Sequence, residues 1–201
     1  MKSELKRCWN TDNSLYVKYH DEEWGVPVHD DQTLFEFLTL EGFQAGLTWE
    51  LILKRREALR KAFDNFNPEK IARYSDQDVK RLMANPNVIR NRAKILATIN
   101  NAVRLKAVQK EFGSFDAFLW KFVQGKTLKN AFTDFSSMPA ETEESKTMSK
   151  EMKKRGFKFV GPTICYAFMQ AVGLVNDHLI DCFRYGEIEN AASDKSKRLS
   201  V

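Results

Sequence analysis

The chain is 201 residues long, 43% hydrophobic and 29% charged, with a formal net charge of +5. That length and mix describe a globular protein built on one core, or on two small lobes sharing one. No apolar run approaches the ~20 residues that span a bilayer, and the opening MKSELKRCWN lacks the apolar segment of a signal peptide, so a membrane or exported protein is not expected and the cytoplasm is the expected place of action. The basic charge fits a nucleic-acid partner without requiring one. In that compartment Cys8, Cys165 and Cys182 are not expected to form a structural disulfide. The 15 phenylalanines point to an aromatic core.

In chain order the pattern is helical almost throughout and predicts an all-α fold. Asp30 and Asp31 can cap a helix over 31–45, which Gly46 can end in the left-handed conformation. On that helix Leu34, Phe37 and Leu38 share a face, and the next position on the face is Glu41, a carboxylate pointing where a core side chain belongs. Thr48 can cap the next helix, WELILKRREALRKAFDNF. NPEKIARY opens with a cap and a first-turn proline, and SDQDVKRLM carries a capping box of Ser75 with Asp78. The long amphipathic stretch NVIRNRAKILATINNAVRLKAVQKEFG closes near Gly113, and Ser114 caps SFDAFLWKFV. Residues 125–147 carry a weaker signal, with SSMPAETEESKT a polar loop. SKEMKKRG then reads as a helix, FKFVG as a tight connection and PTICYAFMQAVG as a second helix with Pro162 in its first turn. No segment shows sustained strand alternation, and there is no internal repeat. Residues 1–185 are expected to form a single domain, with 186–201, GEIENAASDKSKRLSV, a disordered polar tail.

Three constellations carry chemistry. In KKRGFKFVGPTICYAFMQAVG the tight turn leaves backbone amides free at Gly161 and at the start of the second helix, with Lys153, Lys154, Arg155 and Lys158 beside them. Free amides at a helix N-terminus bind phosphate, and such a grip holds a nucleic-acid backbone without reading sequence. An ordinary helical hairpin with a solvated basic face fits the same residues. Secondly, Cys8 and His20 lie near one end of the chain and His178 and Cys182 near the other, the last two spaced to share one face of a helical turn. Two Cys and two His make a closed tetrahedral zinc set, but long-range spacing alone also fits four unrelated residues. Cys165 reads as a core thiol and His29 as a loop histidine. Thirdly, Tyr16, Tyr19, Trp24 and Trp49 together with Glu41 would suit a flat, electron-poor, hydrogen-bonding ligand. Each aromatic ring alone is as well explained by packing. An unpaired buried carboxylate is not, because its burial is costly and such groups mark functional sites.

Taken in order, YHDEEWGVP, LEGFQAGLTW and KKRGFKFVGPTICYAFMQAVGLVNDH closely resemble the bacterial 3-methyladenine DNA glycosylase I family of the helix-hairpin-helix glycosylase superfamily, over about Cys8 to Cys182. The resemblance implies a helix-hairpin-helix fold, with the hairpin at about 149–173, and a structural zinc held by Cys8, His20, His178 and Cys182 that joins the N- and C-terminal segments. It implies that Glu41 recognises the methylated base, that Trp49 stacks on it, and that Tyr16, Tyr19 and Trp24 complete the pocket. Lys158, Gly161 and Thr163 fall in the phosphate-gripping hairpin, and Leu47 falls where the family presents an apolar side chain to the gap in the duplex. Two features depart from the family. Cys8 and Trp9 adjoin where one residue usually intervenes, which argues against a pocket role for Trp9 and questions the geometry at Cys8, and the polar tail belongs to this chain. Many superfamily relatives carry a catalytic Asp where Asn176 stands, and bifunctional ones a nucleophilic Lys where Thr163 stands. The resemblance therefore implies a monofunctional glycosylase, without a lyase step, acting as a monomer on alkylated double-stranded DNA and releasing 3-methyladenine. A zinc-stapled DNA-binding module and an enzyme of free nucleosides are the alternatives. The first needs no buried Glu41, and the second needs no hairpin.

Overall fold

The computed structural model describes residues 5–188. The described residues are mostly helical. Helices α1 (Ser14–Glu22), α2 (Asp31–Gln44) and α3 (Trp49–Ala62) lead through a 3-10 turn to α4 (Pro68–Ile71) and α5 (Asp76–Ala84). The long α6 (Arg92–Phe112), α7 (Phe115–Trp120), α8 (Glu143–Lys154) and α9 (Pro162–Ala171) complete the bundle. Residues 183–188 are also helical and bury Ile188, so order runs past the expected boundary at 185; the rest of the expected tail, 189–201, lies outside the described residues. No described helix is long and apolar enough to cross a membrane.

Helix α2 is the central element. Every residue from Leu34 to Phe43 is buried, so it is enclosed on all sides, by α3, α6, α7 and α9. Asp30 caps it, accepting from Thr33 N–H at 2.8 Å. Asp31, expected to share that task, instead accepts from the Phe115 and Asp116 amides, both at 2.8 Å, and so caps the first turn of α7. At the other end Lys94 on α6 donates to the carbonyls of Phe43 at 2.8 Å and Ala45 at 2.6 Å. A cation there satisfies orphan carbonyls and opposes the helix dipole. Burial of that ammonium lowers its pKa. Gly46 follows with φ of +75°, turning the chain into Thr48, whose hydroxyl caps α3.

Three elements differ from the sequence reading. SLYVKYHDE, read only as a source of aromatic side chains, forms α1, capped by Asn13. Helix α8 starts at Glu143 rather than 149, with Thr142 and Ser145 forming a capping box inside the stretch read as loop. A two-residue parallel pairing, β1 (Leu128–Lys129) with β2 (Val175–Asn176), appears where no strand was expected. It is too short to show as sequence alternation.

The segment after α1 is seated on the end of α9. Gly25 N–H donates to Gln170 C=O at 3.0 Å and Val28 N–H to Val172 C=O at 3.1 Å. Gly173, with φ of +71°, lies so close that a Cβ there would stand 2.5 Å from Pro27 N and Val26 C, both backbone atoms that cannot swing away. Gly173→Ala is therefore expected to lose on the order of 3 kcal/mol or more, read as a fall in urea midpoint at unchanged m-value. A loss below ~1 kcal/mol would mean that the seat is loose.

Candidate active site

A cavity of about 380 Å³ opens between α1, α2, α3 and α9, within the range of small-molecule sites, about 300–1,000 Å³. Its walls are aromatic. Tyr16 and Tyr19 come from α1 and Trp24 from the segment after it, and Trp49 stands at the first position of α3. Contrary to expectation, Trp9 belongs to the same box: its ring lies 4.9 Å from that of Trp24 and 5.7 Å from that of Tyr16, and is within 10° of parallel to Tyr19. The Cys8–Trp9 junction thus sends consecutive side chains into two neighbouring sites.

Among the described residues, Glu41 supplies the one carboxylate lining the cavity. It is 4% exposed and takes no hydrogen bond or ion pair from any described residue. Burial alone pushes its pKa up to about 8, so Glu41 is mostly the neutral acid at pH 7. Burial, and then the Glu41 charge, also raises the Tyr19 phenol well above its usual range. Five further lining residues, Gln44, Phe135, Met138, Ala167 and Gln170, were not read from the sequence. Ala167 and Gln170, three apart on α9, share one helix face; a glutamine within the apolar FMQAVG was the available signal. Asn176 does not line the cavity. Its amide donates to Tyr185 C=O at 3.1 Å and accepts from His178 N–H at 3.2 Å, a structural role.

Behind this wall Cys8, His20, His178 and Cys182 converge, all four buried, with ligand atoms within 4.8 Å of one another. Cys8 Sγ lies 3.3 Å from His178 Nδ1, and Cys182 Sγ lies 3.5 Å from both His178 Nδ1 and His20 Nε2. Zinc bonds of about 2.3 Å to sulfur and 2.0 Å to nitrogen require tetrahedral edges of roughly 3.3–3.8 Å, and these three sulfur–nitrogen edges fall in that range. The remaining ring nitrogens are fixed in the way metal-binding histidines are. His20 Nδ1 meets Asp21 Oδ1 at 2.7 Å, and His178 Nε2 meets Trp24 C=O at 2.9 Å. Arg7 forks onto Asp21 in turn, with Nη2 2.7 Å from Oδ2. The proximity of the two thiols lowers the pKa of Cys182 and raises that of Cys8. His178 and Cys182 are brought together by a turn, Cys182 N–H donating to Leu179 C=O at 2.8 Å, and not by the helix expected from their spacing. The cluster buttresses the pocket, because the Trp24 ring lies 4.6 Å from His178 and the Trp9 ring 5.1 Å from His20.

Two features flank the cavity. Leu47, 37% exposed, stands in the loop between α2 and α3, its amide donating to Gln44 C=O at 2.6 Å. The turn between α8 and α9 runs over 155–161. Gly161 caps α9 without a side chain, and the first intrahelical bond is Cys165 N–H to Gly161 C=O at 2.8 Å, which leaves the Thr163 and Ile164 amides ahead of it. Lys158 is exposed, while its backbone is pinned by Asn101 on α6, whose Oδ1 accepts at 2.8 Å and Nδ2 donates at 2.9 Å. Phe159 has φ of +54°, a strained value for an aromatic residue, and its Cβ would stand 3.4 Å from one added to Gly42, the neighbour of Glu41. Lys153 and Lys154 are exposed as expected. Arg155 is not free for a ligand: Glu111 holds both its terminal nitrogens and Phe112 lies under it.

A family model described as methyladenine glycosylase matches residues 9–185. The chain is similar to a DNA-3-methyladenine glycosylase of Haemophilus influenzae, 50% identical over 177 residues that cover 88% of this chain and 96% of that one. It is similar to DNA-3-methyladenine glycosylase 1 of Escherichia coli, 47% identical over 182 residues covering 90% and 97%. Among solved structures, a variant of 3-methyladenine DNA glycosylase I in complex with 3-methyladenine superposes with a TM-score of 0.85 at 39% identity, covering 87% of this chain and 94% of that one.

Proposed function

The chain belongs to the methyladenine glycosylase family, and on that premise we propose that it excises 3-methyladenine from alkylated double-stranded DNA in base-excision repair. The observation that carries the reading is a buried carboxylate with no partner among the described residues, set among aromatic rings in a cavity of suitable size. Methylation at N3 makes the adenine cationic and weakens its bond to the sugar. A cation that can stack finds aromatic faces here, and its amino edge finds Glu41 as acceptor. Neutral adenine gains neither the charge attraction nor an already weakened bond.

Flipping costs a few kcal/mol and least for a damaged base. Leu47 fills the vacated stack as an apolar wedge, while Lys158, Gly161 and Thr163 hold the backbone through the helix-hairpin-helix element, α8 to α9. Once the base is in the pocket, the N9–C1′ bond breaks and its electron pair returns to the ring, cancelling the positive charge. Water adds to C1′ and gives up a proton. With no lysine in the nucleophile's place and Asn176 committed to structure, the enzyme is monofunctional. The Cys8, His20, His178 and Cys182 set holds one structural zinc, which ties the N-terminal segment to the 178–182 turn and steadies Trp9 and Trp24. The enzyme acts as a monomer in the cytoplasm, on nucleoid DNA.

Chromatography of bases released from methylated duplex, and separately from methylated nucleoside, tests the reading. Free 3-methyladenine should come from duplex, with a rate that falls steeply as salt rises. Binding without base release would leave a DNA-binding module, and salt-independent release from nucleoside would leave a nucleoside enzyme. Trp49→Ala removes one stacking face worth ~1–3 kcal/mol, so excision should fall roughly 10- to 100-fold with duplex affinity retained. An unchanged rate would take Trp49 out of the pocket.

A further inference from the structure

The cavity wall contains an amide whose orientation is fixed from behind. Asp177 is 1% exposed and accepts three hydrogen bonds: Tyr166 Oη at 2.6 Å and Gln170 Nε2 at 2.7 Å on Oδ2, and Asn130 Nδ2 at 2.6 Å on Oδ1. A carboxylate has only acceptors to offer. The Gln170 amide must therefore turn its NH₂ toward Asp177, since the opposite orientation would set two oxygens against each other. Gln170 lines the cavity, and its Oε1 meets no donor among the described residues. From the base-excision reading, on which this inference rests, we propose that Gln170 is a specificity-determining residue and Asp177 its positioning residue. Together they present a fixed acceptor to the flipped base and select an amino edge over a carbonyl edge.

The tyrosine hydroxyls of the pocket can rotate to donate or accept, and so do not discriminate. Oε1 of Gln170 cannot. N3-methylated adenine offers an exocyclic amino group where N3-methylated guanine offers a carbonyl oxygen, and an oxygen facing a fixed acceptor leaves both unpaired in a desolvated site. Sites built for one hydrogen-bonding partner reject its counterpart far more strongly than apolar pockets reject an extra methylene. Excluding methylated guanine thus falls partly to Asp177, which never touches the base.

Asp177→Asn provides the test, because a donor at that position lets the Gln170 amide reverse and turn its NH₂ to the cavity. On duplex DNA carrying both N3-methylated purines, the wild type is expected to release 3-methyladenine far faster than 3-methylguanine. In Asp177→Asn the ratio of the two rates should fall at least tenfold, through a slower 3-methyladenine release and a faster or unchanged 3-methylguanine release. Gln170→Ala, which leaves the Asp177 contacts to Tyr166 and Asn130 in place, should lower the ratio about threefold or more, and decides the matter if Asp177→Asn does not fold. An equal loss of both activities, or an unchanged ratio in Gln170→Ala, would overturn the proposal. Wild-type protein releasing neither base would overturn the excision reading and this inference with it, a result distinct from an unchanged ratio.

Discussion

At pH 8 and above, the Glu41→Gln protein is expected to be more stable than the wild type by roughly 3–5 kcal/mol, and near pH 4.5 the two should unfold together. The sign follows from linkage. Folding raises the Glu41 pKa from 4.5 to about 8. A carboxyl raised on folding contributes stability that is fully present below the unfolded value and is lost as pH rises through the folded one. Over that window each pH unit costs about 1.4 kcal/mol. Glutamine stays neutral throughout, and every other titrating group is common to both proteins, so the difference between their urea-derived free energies isolates Glu41. A difference that stays flat from pH 4.5 to 8 would show that the carboxylate has a partner in the folded protein. The cost has a functional sense. A carboxylate satisfied within the protein would have nothing left for a cationic base, and an unsatisfied one is paid for in stability until the base arrives.

The second large effect lies at the Cys and His cluster. Cys182→Ser should abolish stoichiometric zinc in the purified protein and lower stability by more than about 4 kcal/mol, the scale on which loss of a structural metal stands apart from ordinary substitutions. Removing zinc from the wild type with a strong chelator should reach a similar unfolding temperature, and adding zinc back should restore only the wild type. Because Trp9 and Trp24 lean on His20 and His178, tryptophan fluorescence should change with metal removal before global unfolding. Full stability with no bound metal would reduce the cluster to a hydrogen-bonded core feature.

Much of the site could be read from residue types because its demands are unusual. A glutamate continuing the apolar face of Leu34, Phe37 and Leu38 has few structural explanations, and it is buried among them. The two Cys and two His could be listed, but only the fold brings positions 8 and 178 within 3.3 Å. Helix α1 leaves no apolar stripe in the sequence, because its side chains are divided between the cavity and the cluster. The start of α8 is hidden because EES reads as polar loop, although its Thr142 and Ser145 box is present in the sequence. Spacing misleads at Trp9: Cys8 and Trp9 adjoin, yet Cys8 joins the cluster and Trp9 lines the cavity. Gln170 and Asp177 meet across the turn that ends α9, a contact that no periodicity encodes.

The measurement that bears most directly on the account is single-turnover release of 3-methyladenine from a defined methylated duplex, with duplex affinity determined on the same wild-type and Glu41→Gln samples. The account predicts near-equal affinity for DNA, rapid release by the wild type and release slowed at least 100-fold in the variant. Equal rates from the two proteins would contradict it, and would leave Glu41 a buried acid with no part in recognising the base.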